Sequence, residues 1–218
     1  GLFRDVFTGV DTRQKKAIPI GELHMLLNKD PQSEKLRRTQ AIANLLFQFC
    51  GMPFSDLAHL EKSNLERGLL KYNRTKTGTP MSIEVLESAQ NAIGGLYNKS
   101  DARSSGYPDY LFRILSGAYK RNEEGAYREY QSALRRFNNE LKSLSRKLRL
   151  HSPVTSYTLR HSWATTAKYR GVPIEMISES LGHKSIKTTQ IYLKGFELEE
   201  RTKVNKLNYS YVCNFKML

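Results

Sequence analysis

Ile42, Leu45, Leu46 and Phe49 fall at i, i+3, i+4 and i+7, with Leu36 six residues ahead of them, opposite Lys35, Arg37 and Arg38. With Pro31 and Ser33 just ahead of them, that pattern predicts an amphipathic helix over about 33–50. The period changes at residue 69. Leu69-Leu70-Lys71-Tyr72 and Met81-Ser82-Ile83-Glu84-Val85 flank Thr77-Gly78-Thr79-Pro80, which predicts a short β-hairpin whose loop carries Arg74 and Lys76. A helix near 86–97 follows, then a Ser/Gly/Asp-rich loop over 98–109, while 113–122 fits neither period. From Gly125 onward Tyr127, Tyr130, Leu134, Phe137, Leu141, Leu144 and Leu148 form a seam of alternating threes and fours, predicting a long helix over about 124–149. Such a seam would also serve a coiled coil, but three heptads in a basic globular chain favour packing onto a core. Shorter helices are expected over about 154–170, 173–181, 185–194 and 197–208. The fold class is therefore mainly α with a small antiparallel β-sheet (α+β). Residues 1–17 lack periodicity and read as a linker into one domain spanning 18–218, with a C-terminal helix and tail from about 197.

Composition narrows the field without changing that architecture. The chain has 218 residues, 39% of them hydrophobic and 10% aromatic, enough for a sizeable core and well clear of the disordered range. No stretch approaches ~18 apolar residues and the opening is not that of a secretory signal, so a protein that neither spans a membrane nor is exported is expected. Cys50 and Cys213 stand far apart without CxxC spacing, which argues against a zinc site or a disulfide framework and for a reducing, cytoplasmic setting. Charge changes the picture more. Thirty-five basic against 21 acidic residues give +14, the footprint of a polyanionic partner, and the excess is spread along the chain. An ordinary solvated basic surface would look similar by charge alone.

The densest chemistry lies between 156 and 193. Arg160-His161-Ser162-Trp163-Ala164-Thr165 opens one predicted helix, Leu181-Gly182-His183 ends another, and Tyr192 follows nine residues after His183. This ordered set of RHxxAT, LGH, TTQIY and a hairpin lysine resembles the tyrosine recombinases of the phage-integrase family, in the branch carried by mobile elements. The likeness runs over about 18–207. It implies the catalytic core of the DNA breaking-rejoining enzymes, a separate N-terminal DNA-clamping domain outside these residues, double-stranded DNA in the bacterial nucleoid as substrate, and no metal or other cofactor. It also implies a monomer in solution that assembles on DNA as a tetramer of paired dimers.

Metal-free cleavage of a phosphodiester needs a nucleophile, charge neutralisation and an acid for the leaving group. Tyr192 can attack phosphorus, and an aryl phosphodiester keeps the bond energy for religation. Arg160 presents a rigid fork of donors to two phosphate oxygens, and His183, beside a glycine turn, can donate to a third. Lys76 matches the family's mobile lysine, which protonates the departing 5′ oxygen. Elsewhere the same residues would read as packing, capping or solvated side chains. Arg74, Lys184 and Lys187 are further candidates for DNA contact.

Two departures from the family pattern stand out. Tyr157 occupies the place of a His or Lys three residues before Arg160, and a phenol with an ordinary pKa of ~10 positions a phosphate better than it shuttles protons. His161 either supports the pocket or sits in the core. More consequential, the first catalytic arginine is absent. Anchoring on Ser55-Asp56-Leu57 puts its place at Pro53; anchoring on Gly51-Met52 puts it at Cys50. Asp56 matches an acidic position that buttresses the pocket. Three accounts compete: another cation such as Arg74 fills in, Cys50 is a knock-down, or the enzyme works with a weaker pocket. A type IB topoisomerase, which shares the chemistry, and a degenerate DNA-binding module remain as alternative functions.

Overall fold

The computed structural model describes residues 17–99, 107–193 and 198–214; the linker expected over 1–17 lies almost wholly outside them. Among the described residues the elements follow in order: α1 (Ile20–Asn28), α2 (Glu34–Gln48), α3 (Phe54–Ala58), a 3-10 turn (Lys62–Asn64), β1 (Leu65–Glu66), β2 (Leu69–Asn73), β3 (Pro80–Glu84), α4 (Glu87–Leu96), α5 (Glu124–Lys147), α6 (Ser156–Tyr169), α7 (Ile174–Ser180), α8 (Ile186–Tyr192) and α9 (Leu198–Cys213). The architecture is the expected one, mainly α with a small antiparallel sheet. No helix among the described residues is long and apolar enough to cross a membrane.

α2 is the central element, packing against α1, α4, α5 and α6. Its buried stripe of Ile42, Ala43, Leu45 and Leu46 meets Phe137, Leu141 and Leu144 of α5 and Leu159 of α6 in one core. A smaller apolar cluster of Ala164, Ile177, Leu181 and Leu193 ties α6, α7 and the end of α8 together. The sheet runs β1-β2-β3, antiparallel throughout, with Leu70 opposite Ile83 and Tyr72 opposite Met81. Leu70 and Tyr72 face the core while Lys71 and Asn73 face outward, the alternation that strand geometry imposes.

Three expectations need correcting. Helix α1 was not anticipated; it begins after Pro19 and buries Leu23 and Leu26. The seam of α5 does not include Tyr127, which is 64% exposed. Instead the stripe runs Ala126, Tyr130, Ala133, Leu134, Phe137, Leu141, Leu144 and Leu148, because the small alanines let the helix approach the core on a face about 100° away from Tyr127. The last helix reaches Cys213, five residues beyond the predicted end. Residues 113–122 contain no regular element, only turns and bends.

Candidate active site

The LGH segment is a helix terminator with a defined geometry. Past the end of α7, the Gly182 N–H donates to Glu179 O at 2.8 Å and the His183 N–H to Ser178 O at 3.0 Å, with Gly182 at φ +63°. This is a Schellman cap, which needs a left-handed residue where Gly182 stands. A side chain there would also collide: a Cβ on Gly182 would fall 2.7 Å from Met81 Sδ and 2.9 Å from Arg74 Cδ. The turn therefore sets His183 beside Arg160 and lets the β2–β3 hairpin approach closely. Thr79, Pro80, Gly182, His183, Lys184 and Ser185 line one cleft.

Arg160 reaches this turn from α6, whose start is fixed by reciprocal capping between Thr155 and Thr158. Its guanidinium is 7% exposed and donates through Nη1 to Gly51 O at 2.8 Å and through Nη2 to Leu181 O at 2.7 Å. The Gly51 carbonyl is delivered by two successive left-handed residues after α2, Cys50 at φ +55° and Gly51 at +64°. Arg160 Nη2 also lies 3.2 Å from His183 Nε2, and His183 Nδ1 lies 2.8 Å from Thr189 Oγ1 on α8. A guanidinium only donates, so Nε2 accepts from it and the imidazole carries its proton on Nδ1, shared with Thr189.

Burial, and after it the charges of Arg160, Arg74 and Lys76, pull the His183 pKa down to about 4. The sign of the resulting pH effect follows. The folded state disfavours the imidazolium, so as pH falls from about 6.5 toward 4 the unfolded chain takes up the proton first and stability declines. Urea unfolding between pH 7 and 4 should show that decline, and His183→Gln should flatten it.

Arg74, expected as a DNA contact or as a cation filling in for the absent arginine, is 7% exposed. It continues the inward face of Leu70 and Tyr72. Its Nε lies 2.8 Å from Asp56 Oδ2, and Nη1 donates to Leu181 O and, at 3.5 Å, to Gly182 O. Asp56, 2% exposed, also accepts from the Thr75 N–H at 3.2 Å. This carboxylate thus grips both the backbone and the arginine at the base of the hairpin that bears Lys76. A buried pair of this kind is costly to break from one side, by ~3–5 kcal/mol.

The other candidates divide. Lys76, Lys184 and Lys187 are exposed, Tyr157 is 44% exposed in the first turn of α6, and His161 is half-buried. Cys50 is half-buried and burial raises its thiol pKa, so it is neutral. Pro53 caps α3 and offers no donor. Tyr192 is the last residue of α8; its side chain lies outside the described part of the structure. The Asp56–Arg74 pair is what sequence reasoning missed. Its signal was the period-two placement of Arg74 after Leu70 and Tyr72.

The chain is similar to known proteins in sequence and in fold. Tyrosine recombinase XerD of Halalkalibacterium halodurans is 30% identical over 190 residues, covering 83% of this chain and 57% of that protein. The chain spans somewhat over half the length of the curated relatives it matches, 58% and 57% for two of them. Among solved structures, the XerA recombinase matches with a TM-score of 0.61 at 21% identity over 97% of this chain and 68% of that one. The Tn1549 transposon integrase, determined in complex with a circular intermediate DNA, matches with a TM-score of 0.62 at 16% identity over 90% and 67%. Both likenesses concern the fold. The profile of the phage integrase family matches residues 20–198, from the first helix through the segment after Tyr192, and the chain belongs to that family.

Proposed function

We propose that the chain is the catalytic domain of a site-specific DNA recombinase that cleaves one strand through a 3′-phosphotyrosine and rejoins it to a partner. The observation that carries this reading is the convergence of Arg160 and His183, 3.2 Å apart, on an imidazole that also binds Thr189, one turn before Tyr192 on α8. A phosphate beside these groups would meet the guanidinium of Arg160, and the tyrosine helix is tied to the His183 imidazole through Thr189. In the reaction Tyr192 Oη gives up its proton to solvent and forms a bond to phosphorus, the bond from phosphorus to the 5′ oxygen breaks, and Lys76 supplies that oxygen with a proton. A 5′ hydroxyl of the other strand then reverses the step. Tyrosine as nucleophile and arginine as charge neutraliser leave no step that calls for a metal or cofactor.

Double-stranded DNA is the substrate, and a net charge of +14 supplies the backbone contacts that dominate affinity. Four copies act in two pairs, joined through α9, which exposes Val204, Leu207, Tyr209 and Val212. The setting is the cytoplasm, where the chromosome lies. The test is covalent trapping on nicked duplexes in the presence of EDTA. A band shifted by the mass of the trapped strand is expected; its absence would favour the second reading, a DNA-binding remnant, which the lack of a cation at Cys50 and Pro53 supports.

The hairpin lysine gives a separable expectation. Lys76→Ala should slow cleavage of an ordinary 5′-oxygen leaving group by ~100-fold or more while sparing a 5′-phosphorothiolate, since a thiolate departs without a proton. Equal impairment on both substrates would remove Lys76 from the acid role.

A further inference from the structure

Two buried guanidinium groups hang on one carbonyl. Arg160 donates to Leu181 O from α6, and Arg74 donates to the same oxygen from the end of β2. The place where the family pattern expects an arginine holds no cation, since Pro53 caps α3 and Cys50 is a neutral thiol. Arg74 is anchored on one side only. Asp56 Oδ2 forms an ion pair with Nε, the Leu181 and Gly182 carbonyls accept from Nη1, and Nη2 has no acceptor among the described residues. A donor arm left over on a nine-tenths-buried guanidinium, beside Arg160 and within electrostatic reach of His183, is placed for a ligand anion.

We propose that Arg74 is a catalytic residue, the second arginine of this site, and that its Nη2 donates to a non-bridging oxygen of the scissile phosphate. This rests on the recombinase reading above. Asp56 then has a specific part, holding the guanidinium by its Nε edge so that the fork faces the phosphate. The competing role for Arg74 is purely structural: it fastens the base of the Lys76 hairpin to the LGH turn.

Charge separates the two roles. A nicked duplex pool with a randomised core is trapped on the unmodified chain, a recovered sequence is resynthesised with either an ordinary or a methylphosphonate linkage at the cleavage position, and single-turnover adduct formation is measured. The methylphosphonate has lost the negative charge that an arginine must neutralise. Arg74→Ala should lose about 100- to 1,000-fold on the phosphate and less than about 10-fold on the methylphosphonate, both relative to the unmodified chain. A misplaced hairpin would slow both substrates alike, and equal losses overturn the proposal. The paired variant Asp56→Asn with Arg74→Gln, which leaves no buried charge unmatched, should show the same selectivity if Arg74→Ala proves poorly folded. Cys50→Arg in the unmodified background should change phosphate cleavage by less than about threefold; a gain of tenfold would mean that a second cation is lacking and would overturn Arg74's assignment. If the unmodified chain traps no strand from the pool, the recombinase reading itself falls, whatever the variants do.

Discussion

Tyr192→Phe is expected to abolish adduct formation while leaving duplex binding within a few-fold. The variant lacks only the hydroxyl that would bond to phosphorus, and the cations that set affinity are untouched. Neighbouring phenols are poor substitutes. Tyr72 is buried, and burial together with the Asp56 carboxylate raises its pKa, so it remains a neutral phenol in the core. Tyr157 and Tyr169 are both exposed on the helix that carries Arg160, and Tyr157 lies within one turn of it. The check is denaturing electrophoresis after trapping, beside a mobility-shift titration. A Phe variant that still traps DNA would move the nucleophile elsewhere, with Tyr157 the first to examine.

Arg160→Ala should be the most damaging change among the charge-neutralising residues, with a loss of ~1,000-fold or more in single-turnover cleavage, and it should exceed His183→Ala. Removing one preorganised donor typically costs ~100- to 1,000-fold, and a guanidinium supplies a full charge and several donors where the neutral His183 imidazole already shares its one proton with Thr189. The structure adds a second reason. Arg160 is the partner of Gly51 O and Leu181 O and holds the His183 ring by Nε2, so its loss loosens the other groups as well. Arg160→Lys separates the two effects, because it keeps the charge and loses the fork. Equal losses for Arg160→Ala and His183→Ala would contradict this ranking.

Much of the site was legible because its residues cluster in two short segments with their own local grammar. The LGH triplet announces a helix end in which only glycine suits the left-handed position, and the capped start of α6 sets Arg160 one turn in. The hairpin was legible from its alternation. What stayed hidden depends on contacts between distant segments. Asp56 and Arg74 lie on separate elements, and nothing in either segment says that a carboxylate and a guanidinium will share a buried site. Helix α1 spans nine residues with Gly21 near its start, too few turns for a period to stand out beside an aperiodic linker. Tyr127 was misassigned because an aromatic outweighs an alanine in any apolar pattern, although Ala126 is the residue that α5 turns inward.

The Leu181 carbonyl has a wider meaning. Its position is set by how α7 terminates, so it stays in place whichever chain segment bonds to it. Together with Asp56 it marks out a docking point for a guanidinium that is independent of the arginine's own location in the sequence. A site specified by its acceptors can exchange one donor for another: an arginine lost from the turn after α2 can be replaced by one arriving along β2, provided it reaches the same oxygen. Divergence in this part of the chain is then better followed through the helix end and the carboxylate than through the arginine they hold.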